Sequence, residues 1–142
     1  MDGASAAATI LQLIQTGITV SKALHDYGTS VINAKKSCKR LMDGISTISR
    51  LANTAEQFVR GLASSNPPES FCQFWIAPDS PAMRYKKSLD ELMATLPRNG
   101  STQMKMRQRL TWHWTESKIN STIEAFERYV PYLEILIAMI NK

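Results

Sequence analysis

The stretch SVINAKKSCKRLMDGISTISRLANTAEQFVRGL, Ser30 to Leu62, decides the fold class of this chain. Its apolar residues recur in alternating steps of three and four: Val31, Ala34, Cys38, Leu41, Ile45, Ile48, Ala52, Ala55, Val59 and Leu62. This heptad spacing aligns them in one row along a single helix. We therefore expect a long helix that is packed along its whole length and ends near Gly61.

The residues before this stretch predict another helix, from about Gly3 to Tyr27. No charged residue occurs in the 19 positions from Gly3 to Ser21. A helix of that length spans about 28 Å, close to the hydrocarbon thickness of a bilayer. Its polar residues make one stripe: Ser5, Thr9, Gln12, Thr16 and Thr19. Its apolar side consists of Ala4, Ala7, Ala8, Ile10, Leu11, Ile14 and Ile18. Gly28 with Thr29 or Ser30 is the expected break before the second helix.

Residues 63–79 predict a loop, because Ser64, Ser65, Asn66, Pro67 and Pro68 disfavour regular structure. The loop carries the apolar side chains Phe71, Phe74, Trp75 and Ile76. We expect them to hold the loop against the helices, since exposed aromatic rings are costly. A loop that dips into a membrane is the alternative.

A third helix is predicted from Ser80, a candidate N-cap, with Pro81 at the first helical position. Its apolar face comprises Met83, Leu89, Leu92, Met93 and Leu96, and Pro97, Asn99 and Gly100 close it. A short helical piece is expected over 102–110. A last helix is expected from Thr115, with a kink at Pro131 because the apolar period continues in phase on both sides.

Together these segments predict an all-α fold: one domain over residues 1–142, a bundle of about four main helices with an uncharged N-terminal helix. The apolar pattern still runs at Lys142, so we expect the domain to be the N-terminal part of a longer protein. Met1-Asp2-Gly3 lacks the positive leader of a signal peptide, which favours a cytoplasmic location. Cys38 and Cys72 suit a reducing compartment, and a disulfide between them is left open.

The net charge is +5, which favours anionic partners such as lipid headgroups, nucleic acid or acidic proteins. The basic residues form three clusters: Lys35, Lys36, Lys39 and Arg40; Arg84, Lys86 and Lys87; Lys105, Arg107 and Arg109. Solvated helix faces are the simpler explanation of such clusters. No nucleic-acid-binding motif accompanies them, so a nucleic-acid partner is not expected and DNA binding ranks third.

Catalysis is not expected, because the sequence holds no catalytic, phosphate-binding or metal-binding motif. His25 and His113 belong to no pattern, and Asp90 and Glu91 are adjacent and so face different directions on a helix. We predict no enzyme activity, no catalytic residues, no metal ligands and no cofactor.

Two regions carry a resemblance to a known family. Met1-Asp2-Gly3-Ala4-Ser5-Ala6-Ala7-Ala8 running into Ile10-Leu11-Gln12-Leu13, and the region Leu110 to Ile119 with Trp112 and Trp114, resemble fungal HeLo-like domains. The resemblance extends from Met1 to about Ile137, and its motifs are moderately specific. Such domains stand at the N-terminus of fungal NLR-like (STAND) receptors. They resemble the HeLo domains of heterokaryon incompatibility proteins, the four-helix executioner of necroptosis and helical domains of plant immune receptors.

The resemblance implies a programmed-cell-death effector of fungal innate immunity, activated by oligomerisation and moving from the cytoplasm to the plasma membrane. Its partners would be further copies of itself, anionic membrane lipids and the C-terminal receptor modules of the same chain. The expected membrane-inserting residues are Ile10, Leu11, Leu13, Ile14, Ile18 and Val20. The expected headgroup contacts are Lys35, Lys36, Lys39 and Arg40.

Two features depart from the family's pattern: Pro131 interrupts the last helix, and the first helix is more polar than a good membrane span. The polar stripe could face a water-filled lumen in a ring of helices, or simply face water in an ordinary bundle. The alternative function is a non-lytic self-association or autoinhibitory scaffold, which would use the same heptad faces but tolerate charge on the first helix.

Overall fold

The computed structural model of the chain describes residues 2–30, 35–62 and 64–95, together with eight single positions between 117 and 138. Four helices are defined in these ranges: α1 (Gly3–Ser30), α2 (Lys35–Leu62), α3 (Glu69–Trp75) and α4 (Pro81–Thr95). The described residues form no strand. The all-α prediction is therefore confirmed.

Helices α1 and α2 pack against each other and have the most extensive contact of any two helices defined here. They run antiparallel: the Gly3 amide donates to the Ser65 carbonyl just beyond α2 (3.0 Å), and Tyr27 lies near Cys38 at the other end. The heptad row of α2 is buried as predicted from Cys38 to Val59, whereas Val31 and Ala34 lie outside the described residues.

The first helix is longer than predicted, because it continues through Gly28 and ends at Ser30. The expected break at Gly28 is wrong. Tyr27 and Gly28 are both buried, and the Thr29 hydroxyl donates to the Asp26 carbonyl within the helix (2.8 Å). Packing of this last turn outweighs the roughly 1 kcal/mol that a helical glycine costs relative to alanine.

The predicted loop over 63–79 contains the short helix α3, which the sequence reading missed. Pro67 and Pro68 do not prevent a helix from starting just after them, since proline is tolerated at a helix start. Phe71 and Trp75 are buried, and their rings form a tilted pair with centroids 6.4 Å apart. Phe71 also contacts Phe58 of α2 (5.6 Å), so the aromatic cluster packs against the bundle rather than projecting outward.

Helix α4, the third helix predicted from the sequence, begins as predicted. The Ser80 hydroxyl accepts the Met83 amide (3.2 Å), which is the N-cap bond, and Pro81 occupies the first position. Leu89 and Leu92 are buried, whereas the predicted core residue Met93 is 40% exposed. Tyr85 joins the core instead, and burial raises the pKa of its phenol.

Glu56 is the one charged side chain buried among the described residues, at 1% exposure. Arg60 lies one turn further along α2, and its guanidinium binds both carboxylate oxygens, with Nε 2.7 Å from Oε1. Hydrogen bonding to Glu56 raises the pKa of Arg60. This fork-shaped pairing compensates for removing the carboxylate from water.

Most of the predicted C-terminal elements lie outside the described residues, including the piece over 102–110, Thr115 and His113. The helical positions that are described are Ser117, Asn120, Ser121, Glu124, Glu127, Pro131 and Ala138. Pro131 is thus helical itself, but the expected kink around it stays a prediction. Cys38 and Cys72 are both free thiols, so the disulfide left open above is absent.

Candidate functional site

The surface of α1 is the candidate site, because this helix is apolar on more than one side. One row is buried against the bundle: Ala6, Ile10, Leu13, Gly17, Val20 and Leu24. A second apolar row is directed outward, where Leu11 is 41% and Ile18 49% exposed. A surface helix of a soluble bundle ordinarily needs only the first row.

The six predicted membrane-inserting residues are divided between these rows. Ile10, Leu13 and Val20 belong to the core, Ile14 is half-buried, and Leu11 and Ile18 are exposed. The prediction of a single apolar side is therefore corrected. Ala4, Ala8, Leu11 and Ile18 do not face the bundle, because the steps of three and four chosen from the sequence follow the neighbouring row of the helix.

The predicted polar stripe of α1 is at the surface, as expected. Ser5, Gln12 and Thr19 are exposed, and Thr9 and Thr16 are half-buried. The threonine hydroxyls donate to the helix's own carbonyls, as in Thr16 to Gln12 (2.9 Å) and Thr19 to Gln15 (3.0 Å). These bonds satisfy the hydroxyl donors locally and would remain in place away from water.

A polar cleft of about 370 Å³ lies between this stripe and α4. Its described lining comprises Gln12, Gln15, Thr16, Thr19, Val20, Lys86, Asp90 and Met93. Lys86 and Asp90 form an ion pair within α4 (3.1 Å). At the cleft, the polar stripe of α1 does not pack closely against α4. The contact of α1 with α4 is accordingly less extensive than its contact with α2.

The start of α1 is fixed by hydrogen bonds at two adjacent residues. The Asp2 carboxylate accepts the Ser5 amide (2.8 Å), which caps the helix, and the Gly3 amide donates to Ser65. Accepting the Ser5 amide holds the pKa of Asp2 below its usual value. Asp directly before an uncharged helical run is a cap pattern that the sequence reading did not use.

In the middle of α1, Gly17 lies close against α2. A Cβ atom at this position would lie 3.2 Å from Ile45 Cγ2 and 3.2 Å from Ser49 Oγ. The absence of a side chain therefore lets the two backbones approach closely. At the far end, burial raises the pKa of Tyr27, and the electrostatic influence of the neighbouring Cys38 adds to this effect.

The predicted headgroup cluster lies in the first two turns of α2. Lys36, Lys39 and Arg40 are exposed, and the side chain of Lys35 lies outside the described residues. Cations at a helix N-terminus oppose the helix dipole, so helix stability does not account for this cluster. Arg40 faces Glu124, although 3.9 Å separates their charged atoms and both side chains are exposed.

By length and composition, α1 is the one helix in the described ranges that could cross a membrane. Buried bundle helices meet the same criterion, so this finding supports membrane association only weakly. In the same ranges, no group of three or more His, Cys, Asp or Glu residues could hold a metal ion.

Comparison of the chain with protein-family models, with curated proteins and with solved structures finds no match. The case for any function therefore depends on the residues of this chain and the surfaces they form.

Proposed function

We propose that this chain is a HeLo-like effector domain, which permeabilises membranes and induces cell death once several copies are brought together. The observation that carries the proposal is the pair of apolar rows on α1. Leu11 and Ile18 are already exposed in the folded bundle, while Ile10, Leu13 and Val20 are held against α2. A helix that leaves α2 would present both rows to lipid.

The polarity of α1 fits a helix that lines a pore better than a lone membrane span. Three threonine hydroxyls of the stripe are bonded to carbonyls one turn earlier, which lowers the cost of moving them into a bilayer. The glutamines Gln12 and Gln15 have no such bond among those described and would need water. A ring of α1 helices supplies it, with the polar side towards the lumen and the apolar rows towards lipid.

Attraction to the membrane would come from the basic residues of α2. Each lysine or arginine near an anionic surface contributes about 1 kcal/mol. Lys36 and Lys39 are exposed, so headgroups can reach them without rearrangement of the bundle. In this proposal the resting domain is cytoplasmic, and clustering by C-terminal receptor modules moves it to the plasma membrane.

Dye release from anionic liposomes tests the proposal, with the chains clustered by an added oligomerising tag. Clustered wild type should release dye. Leu11→Glu with Ile18→Glu should abolish release while preserving the fold, because both positions are exposed. Gln73→Glu with Ala94→Glu, at exposed positions on α3 and α4, adds the same charge and should leave release unchanged.

The competing function is a non-lytic scaffold that only mediates self-association or autoinhibition. It predicts oligomers without dye release, and indifference to carboxylates at Leu11 and Ile18. Intact liposomes in the presence of clustered, folded wild type would favour the scaffold and count against permeabilisation.

A further inference from the structure

The α1–α2 pair has one side that the rest of the described core leaves open. On α1, the residues that line the cleft towards α4 include Gln12, Thr16 and Val20. Measured from the centre of all five α1 residues that line the cleft, Leu11 and Ile18 lie roughly 120° around the helix, with Gln15 between the two sets, at about 100° per residue. They therefore face away from α4, which agrees with their exposure of 41% and 49%.

The outward side of α2 carries a row of cations on this same open side. Ile45 and Ser49 face Gly17 of α1, and Leu41, Ile48 and Ala55 belong to the buried core. Lys39 and Arg50 point away from that core. Eleven residues separate them, close to three full helical turns, so they lie in one row.

The antiparallel register brings the two rows side by side. Since Gly17 lies between the levels of Ile45 and Ser49, Arg50 lies roughly level with Ile14 and thus between Leu11 and Ile18 along the axis. Lys22 extends the α1 row at the end nearer Lys39, and it is exposed. We name this surface the hairpin face: Leu11, Ile14, Ile18, Lys22, Lys39 and Arg50.

We propose that the hairpin face is where the intact, folded bundle lies on an anionic bilayer surface, with Arg50 as a headgroup contact beside Leu11 and Ile18. Aliphatic side chains bordered by lysine and arginine have the chemistry of an interfacial membrane contact. Asp43 lies in the same row of α2 and the exposed Asp26 follows Lys22 by one turn on α1, so the three cations of the face outnumber two carboxylates. This inference rests on the proposed membrane target, but it concerns docking before α1 leaves α2.

The hairpin face assigns different roles to two arginines of α2. Arg50 lies within it, although it belongs to none of the basic clusters visible in the sequence. Arg40, a predicted headgroup contact, lies on another side of α2, where Glu124 competes for its guanidinium. Removing Arg50 should therefore weaken docking more than removing a surface arginine elsewhere.

Co-sedimentation with vesicles of phosphatidylcholine and phosphatidylserine tests the inference without using leakage. Arg50→Gln should weaken partitioning about five-fold, the equivalent of one lost headgroup contact. Arg84→Gln, an exposed position on the outward side of α4, makes the same charge change and should weaken it much less. Asp43→Asn should strengthen binding, and vesicles of phosphatidylcholine alone should bind all variants poorly.

The outcomes separate this inference from the proposed function. Equal loss in Arg50→Gln and Arg84→Gln, with liposome leakage intact, would overturn the hairpin face and leave permeabilisation standing. Binding that depends on Arg50 without leakage would support the face and count against permeabilisation. A wild-type dimer in solution that Ile18→Glu dissociates would assign the face to a second copy of the chain and overturn the membrane assignment.

Discussion

Gly17 of α1 lies directly against Ile45 of α2, where a Cβ atom on the glycine would come within 3.2 Å of Ile45 Cγ2. This contact sets how closely the first helix can pack on the second. It also lies at the centre of the surface that α1 must leave if it enters a membrane. The stability of the resting domain and the release of its first helix therefore depend on the same interface.

Substituting alanine at two glycines isolates the packing contribution of Gly17. Gly61 is also helical, but nothing lies within 4 Å of a Cβ there. Gly61→Ala should stabilise the domain by up to about 1 kcal/mol through helix propensity alone. Gly17→Ala gains the same propensity but forces Ile45 and Ser49 to shift, and overpacking costs about 1–3 kcal/mol. Urea unfolding should show stabilisation at Gly61 alone; equal gains at both sites would refute the close approach.

The cap at Asp2 makes the start of α1 sensitive to acid. Because its folded pKa is depressed, Asp2 contributes stability that is fully present above its unfolded pKa of about 3.9 and is lost as pH falls through the folded value. Asp2→Ala should lower the urea midpoint at neutral pH and flatten its decline in acid. Asp43→Ala removes an exposed carboxylate in the middle of α2, away from the helix starts, and it should leave that decline unchanged.

The Ser80 cap should matter for α4. Its buried hydroxyl accepts the Met83 amide, so Ser80→Ala should cost about 1 kcal/mol in thermal or urea unfolding. Ser64→Ala alters an exposed turn residue and should be close to neutral. If the two variants unfold alike, the hydroxyl does not cap the helix.

The buried carboxylate of Glu56 depends on Arg60. Arg60→Ala should destabilise the domain because it leaves the carboxylate buried without its cation. Combining it with Glu56→Gln should recover part of the loss, since the neutral amide costs less to bury. A double-mutant cycle with no coupling between the two positions would contradict the pairing.

Much of the fold could be read from the sequence because its long helices repeat their pattern many times. The α2 row from Cys38 to Val59 and the Ser80–Pro81 start of α4 are predictions that the structure confirms. The seven residues of α3 give too few turns for a periodic pattern. The helical state of Gly28 could not be predicted from the sequence, because it depends on burial that only tertiary contacts reveal.

The candidate site was less predictable than the fold. An uncharged helix has apolar residues on several sides, so spacing alone does not tell which row packs and which stays exposed. The sequence reading grouped Leu11 with Ile10, whereas the structure exposes the first and buries the second. No sequence cluster indicates Arg50, because its apolar neighbours on the hairpin face lie on another helix, far away along the chain.

A reversible lock between α1 and α2 tests the central claim most directly. Ser49 Oγ lies 3.2 Å from a Cβ at Gly17, a separation compatible with the short reach of a disulfide. The variant Gly17→Cys with Ser49→Cys, in a Cys72→Ser background, should form that bond when oxidised. The controls carry only one of the two new cysteines and keep, like the double variant, the buried Cys38. Clustered on anionic liposomes, the oxidised protein should bind without releasing dye, and reduction should restore release. Full leakage from the oxidised, cross-linked protein would show that α1 need not leave α2, which contradicts the mechanism proposed for this domain.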